Sequence, residues 1–285
     1  MHNAGISRRA IFGVGAALAM GVLTGCTVAQ GDSATPRVAD DIAPVRPISN
    51  VMPPPPVSPA AVAARHAGAH PQSWGVDLPG ITSSFPAAGK QFALTFDACG
   101  GPGNSDIDQA LIDLLIAERI PSTLFLNKRW IDADPARVQR LAANPLFELA
   151  NHGGAHKPLS VSGRSAYKVA GTASAEEAVY EVWDNHQRIL ELTGRAPRFF
   201  RAGTAHYDEV AVEIVRELGE TPLGFTVNAD FGATAGATQV QRAMSAAAPG
   251  GIALGHMHRP RSGTAAGMAA ALPALRAAGF TFVHL

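Results

Sequence analysis

Cysteine is almost missing from this chain, with two residues in 285, Cys26 and Cys99. Charge is scarce as well. Only 16% of the residues are Asp, Glu, Lys or Arg, and the 23 bases cancel the 23 acids. With no basic surplus and no Lys/Arg cluster, the chain lacks the electrostatic footprint of a nucleic-acid binder. An uncharged glycan or a small molecule is the easier partner. The apolar run from Ile11 to Leu23 is too short to span a bilayer core of roughly 30 Å. There is no G-x-S-x-G nucleophile elbow, which argues against a serine hydrolase. The Gly100–Gly103 loop lacks the Lys-Ser/Thr that a phosphate-cradling loop needs. What the chain does have is apolar substance: 47% of its residues, ample for a packed core.

Ser7-Arg8-Arg9 precedes the apolar run, and Leu23-Thr24-Gly25-Cys26 closes it. A basic head, a short apolar stretch and small residues at its end read as a secretory signal. The paired arginines suggest the twin-arginine route. The end of the segment resembles a bacterial lipoprotein box, in which the cysteine is lipidated and becomes the new N-terminus. On this reading residues 1–26 are a signal peptide and the protein is exported. It is then anchored to the outer face of the cell membrane by a lipid on Cys26 and by nothing else. Cys99 is left without a disulfide partner. Residues 27–70 show no periodic apolar pattern, are rich in Ala and Pro, and centre on Pro53–Pro56. They read as a disordered, polyproline-like spacer, which leaves residues 71–285 as the folded domain.

Within that domain, strand and helix patterns alternate. Strands are expected at 90–96, 122–126, 147–150, 198–201, 223–227, 252–254 and 280–283, with helices between them. Ser174-Ala175-Glu176-Glu177 has the form of a capping box, and Gly194 stops the helix it opens. Such alternation implies a parallel α/β sheet or barrel, whose chemistry gathers where strands end. Asp97, His152, Arg201, Asp230 and His256 all fall at such ends. His152 and His156 have a spacing that can place two imidazoles on one metal. His66 and His70 share that spacing inside the spacer, where it reads as accidental.

At these residues the chain resembles the polysaccharide deacetylase family, the NodB-homology domain. Leu94-Thr95-Phe96-Asp97 is similar to its first motif, and Asn151-His152 through Leu159 to its second. Phe200-Arg201-Ala202-Gly203 is similar to the third, Val227 through Phe231 to the fourth, and Ile252 through His256 to the fifth. The resemblance implies a distorted seven-stranded (β/α) barrel and a hydrolase of carbohydrate metabolism. Its reaction is metal-dependent removal of N-acetyl, or O-acetyl, groups from chitin-like or peptidoglycan sugars.

It further implies a zinc or cobalt ion on His152 and His156, Asp97 as the base, Arg201 to orient it, and His256 as the acid. The family usually carries a second aspartate after the first, where this chain has Ala98. Asp97 is then the nearest candidate for a third metal ligand, ahead of Asp106, Asp108 and Cys99, and Asp230 becomes the reserve base. Gly203 stands where the third motif usually has proline. Two other functions compete: a non-catalytic glycan-binding lipoprotein on the same fold, and a glycosidase using Asp97 and Asp230 as its carboxylate pair.

Overall fold

The computed structural model describes residues 57–285. The expected signal segment, Cys26 and the Pro53–Pro56 run lie outside the described residues. In chain order the first elements are α1 (Pro59–Arg65), β1 (Trp74–Gly75), β2 (Gln91–Ala98), α2 (Gln109–Ala117) and β3 (Ser122–Leu126). Then come α3 (Lys128–Ala133), α4 (Pro135–Ala142), β4 (Phe147–Asn151), α5 (Ala175–Thr193), β5 (Phe199–Phe200) and β6 (Tyr207–Asp208). The rest are α6 (Glu209–Glu217), β7 (Thr221–Pro222), β8 (Val227–Asn228), α7 (Ala237–Met244), β9 (Ile252–His256), α8 (Thr264–Ala277) and β10 (Thr281–Val283).

Seven parallel strands run in the order β7-β5-β4-β3-β2-β9-β8, with β10 paired to the start of β2. The sheet curls, and its two edges meet at a seam. There Thr82 bridges to Leu223 and Ser84 to Gly251, so a loop ahead of β2 fills the gap between β7 and the β8–β9 side. This is the expected α/β architecture, a distorted seven-stranded barrel.

The strands are apolar on both faces because both are covered. On β2, side chains alternate. Phe92, Leu94, Phe96 and Ala98 point outward into a core shared with the helices, while Ala93 joins Phe125, Ala150, Leu223 and Ile252 in a plug inside the barrel. Each fully buried Leu or Phe in these cores contributes about 1.5–3 kcal/mol. A second outer core packs α5 and α6 around Val179, Val182, Val212 and Val215.

Two expectations are corrected. Residues 57–70 are not all spacer: Ser58 caps α1 through its hydroxyl, Pro59 takes the first helical position, and Val62 is buried among residues of α5 and α6. His66 bonds Glu217 at 3.0 Å and is no part of a metal site among the described residues. The apolar run Leu223–Val227 is not one strand. It crosses the seam from β7 on one sheet edge to β8 on the other. Gly224 passes so close to Ser83 that a Cβ would lie 2.4 Å from its Oγ. No helix of the described residues is long and apolar enough to cross a membrane.

Candidate active site

Parallel strands deliver all their carboxyl ends to one rim. Period-two alternation turns Thr95 and Asp97 inward on β2, and Asp97 lies in register with Phe125 on β3 and His256 on β9. Arg201, just past β5, is fully buried and reaches across the barrel. Its Nη1 donates to Asp97 Oδ1 at 2.7 Å and to Thr95 Oγ1 at 2.9 Å. Its Nη2 donates to the Gly224 carbonyl at 3.0 Å, and its guanidinium lies over the Phe125 ring. Arg201 is therefore a buried clamp rather than a surface ion pair. Removing one partner of such a pair strands the other charge, at a cost of about 3–5 kcal/mol.

His152 leaves β4 into the same space. Its Nδ1 lies 2.7 Å from the Arg201 carbonyl, which fixes the ring and directs Nε2 inward. That Nε2 lies 3.6 Å from Asp97 Oδ2 and 3.8 Å from Cys99 Sγ. His156 closes the group, its ring centroid 4.8 Å from that of His152. One donor atom each from Cys99, His152 and His156 fall within 4.8 Å of one another, a set fit for a metal ion. The set groups Cys99 with the two imidazoles, while Asp97 Oδ2 lies beside it, 3.6 Å from His152 Nε2. Asp106 and Asp108 are not in the set. Asp108 instead caps α2. Ala98 points away into the helix-side core.

Burial disfavours charge on both members of the Cys99–His152 contact, but each overcomes the other's penalty. The imidazoles of His152, His156 and His256 hold the Cys99 thiol well below its usual range. Asp97 and Cys99 raise His152 above an ordinary histidine.

The loop bearing His156 is held from below. Glu181 on α5 accepts from the backbone N–H groups of Ala155 and Lys157 at 2.9–3.0 Å. His156 itself has φ 61°, in the left-handed region, and such strain persists only where the surroundings enforce it. Gly203 explains its departure from the family's proline by contact, since a Cβ there would lie 2.2 Å from the His156 carbonyl oxygen.

Across the rim, His256 Nδ1 meets Asp230 Oδ1 at 2.7 Å, leaving Nε2 to face the site. Burial would lower the pKa of His256, but Asp230 outweighs it and holds the imidazole well above its ordinary range. Asp230 is buried, yet the His256 charge and its hydrogen bonds keep its own pKa low. Its Oδ2 accepts from the His256 N–H and Thr264 Oγ1, each at 2.7 Å, and Oδ1 also accepts from the Ala233 N–H. A carboxylate so saturated orients its neighbour and is no reserve base. The glycosidase reading loses its second carboxylate for the same reason.

The structure thus brings Asp97, Arg201, His152, His156, Asp230 and His256 to one rim. Sequence reasoning missed Thr95, Thr264, Glu181 and His258, whose ring lies 5.6 Å from that of His256. Strand parity signals Thr95, but no local pattern signals Glu181, which arrives from a distant helix. Beside His258 opens a polar groove of about 690 Å³, walled by Asn104, Asp106, Arg259 and Arg261.

Solved structures share this fold. A peptidoglycan N-acetylglucosamine deacetylase superimposes with a TM-score of 0.61 at 23% identity, over 72% of this chain and 91% of its own. A family 4 acetyl xylan esterase from Clostridium thermocellum, in complex with a cobalt ion, gives 0.55 at 21%, over 68% and 87%. A CE4 family pseudoenzyme from Bacillus anthracis gives 0.57 at 18%, over 68% of this chain and 63% of its own length, so this chain spans less than two thirds of that protein. At these identities the likeness speaks for the fold alone. No curated protein matches. Residues 86–223 match the family model "Polysaccharide deacetylase", and the curled sheet of seven parallel strands agrees with the fold of these solved structures.

Proposed function

We propose that this domain removes acetyl groups from an N-acetylated cell-envelope glycan such as peptidoglycan or a chitin-like polymer, with O-acetylated sugars as the ester counterpart. One observation carries the reading: the paired imidazoles, the Asp97–Arg201 clamp and the His256–Asp230 dyad share one rim. A divalent ion such as zinc or cobalt, held by His152 and His156 with a third donor, supplies Lewis-acid polarisation of the acetyl carbonyl and an acidified water. Arg201 occupies Asp97 Oδ1, so Oδ2 takes the proton of the attacking water. His256, held protonated by Asp230, donates from Nε2 to the departing amine. Arg201 and Asp230 act through their partners and position them. The match of residues 86–223 to the polysaccharide deacetylase family model supports the substrate class, and the Cys99, His152 and His156 donor set supports a metal ion.

The N-terminal segment completes the proposal. Residues 1–26 direct export by the twin-arginine route, Cys26 carries the lipid, and the proline-rich stretch after it holds the domain off the membrane toward the wall.

A non-catalytic glycan-binding role draws on Ala98 and on pseudoenzymes among the relatives. Acetate release from acetylated peptidoglycan fragments and chitin oligomers, measured with zinc, with cobalt and after chelation, separates the two. The deacetylase reading expects release that chelation abolishes. Glycan binding without acetate overturns catalysis, and undiminished release after chelation overturns the metal.

A further inference from the structure

The geometry points to Cys99 as the third ligand of the metal, a thiolate standing in for the carboxylate that position 98 cannot offer. The inference rests on the metal-dependent reading above and specifies its centre as Cys99-His152-His156.

Strand parity is the first support. Thr95 and Asp97 face inward on β2, so Ala98 faces the helices and Cys99, the next residue, returns to the site. The second is the preparation of His152. The ring is buried, with Nδ1 held at 2.7 Å on the Arg201 carbonyl and the opposite nitrogen presented to Cys99 Sγ at 3.8 Å. Outer hydrogen bonds of this kind fix the tautomer of metal-ligating histidines. The third is fit. Tetrahedral zinc with sulfur at about 2.3 Å and nitrogen at about 2.0–2.1 Å separates its donors by roughly 3.3–3.8 Å. A set already within 4.8 Å closes on an ion by shifts of about 1 Å.

Asp97 is spared by this arrangement, since it lies outside the donor set and keeps Oδ2 for proton transfer. On binding, the thiol proton passes to solvent and the sulfur lone pair goes to the metal. No oxidant or further reactant is needed. A soft donor also favours zinc over magnesium or manganese, which prefer oxygen.

The test uses the full chain, stripped of metal and titrated with cobalt(II). A cobalt–thiolate charge-transfer band in the near ultraviolet is expected. Cys99→Ser should abolish the band and weaken metal binding by more than about 100-fold, beyond the 10–100-fold typical of losing an outer partner. Cys99→Asp should recover binding without the band, and Cys26→Ser should keep it. Zinc should also shield Cys99 from alkylation, located by mass spectrometry on its peptide. If cobalt binds without the band, or Cys99→Ser binds metal as tightly as the parent, the thiolate ligand is refuted while metal dependence survives. If no metal binds at all, both readings fail. An acetyl group trapped on Cys99 in chelated protein would also refute it, making the sulfur a nucleophile.

Discussion

Restoring the family's second aspartate by Ala98→Asp should damage this protein rather than improve it. Ala98 is fully buried in the core between the sheet and the helices, among residues such as Leu126, Trp130 and Ile131. A carboxylate there takes a charge into an apolar cluster. Breaking a buried pair, the nearest measured analogue of an unpaired buried charge, costs about 3–5 kcal/mol. The extra atoms add about 1–3 kcal/mol of overpacking. In a domain of this size each kcal/mol shifts Tm by about 2–4 °C, so the charge alone predicts a fall of about 6–20 °C. Ala98→Asn carries nearly the same bulk without the charge and should fall less, by the packing share and the smaller cost of an unpaired amide. Thermal unfolding followed by circular dichroism at neutral pH, with metal affinity measured in parallel, reads both effects. A variant as stable as the parent that binds zinc more tightly would show that position 98 faces the metal. It would undo the parity argument on which the assignment of Cys99 stands.

Three further outcomes are expected. His256→Ala should lower kcat for acetate release by about 10²–10⁴-fold, the usual worth of a general acid, and an unchanged rate would remove that role. Glu181→Ala leaves the Ala155 and Lys157 N–H groups unpaired and should weaken metal binding by about 10–100-fold through the His156 loop, checked by competition with a chromogenic chelator. Glu220, buried against His186 and Asn151, has its pKa raised by burial to about 7. Between its unfolded value near 4.5 and about 7 the native state holds a proton that the unfolded state has lost. Stability should therefore be greatest below that window and fall as pH rises through it. Denaturant unfolding from pH 5 to 7 should show this slope, flattened in Glu220→Gln, and equal slopes in both proteins would contradict it.

Much of this was legible in advance, for reasons that differ by element. The strand at 122–126 is bounded as its β-branched and apolar run suggests. Ser174 caps α5 as expected, although Glu177 reaches back to the Ala173 N–H rather than to that of Ser174. The reactive residues were found because their place at strand ends is a one-dimensional signal. Three things were not found that way. The helix at 59–65 hides in an Ala/Pro-rich stretch, although Ser58 before Pro59 is an N-terminal signature. The break within 221–228 depends on a seam closed by residues 82–84, which no local window contains. The place of Cys99 beside the two imidazoles follows from the two faces of β2 rather than from its position along the family pattern.

The bare Cα at Gly203, pressed on the His156 carbonyl, ties the loop that offers an imidazole to the loop that carries Arg201. Neither loop can drift without dragging the other, so the distance from the His156 imidazole to the Arg201–Asp97 clamp is set by a contact that tolerates no added atom. The rim is thus resistant to gradual tuning, and under the proposed function any adaptation to different glycans falls to the outlying walls around 102–106 and 258–262, which that contact leaves free to vary.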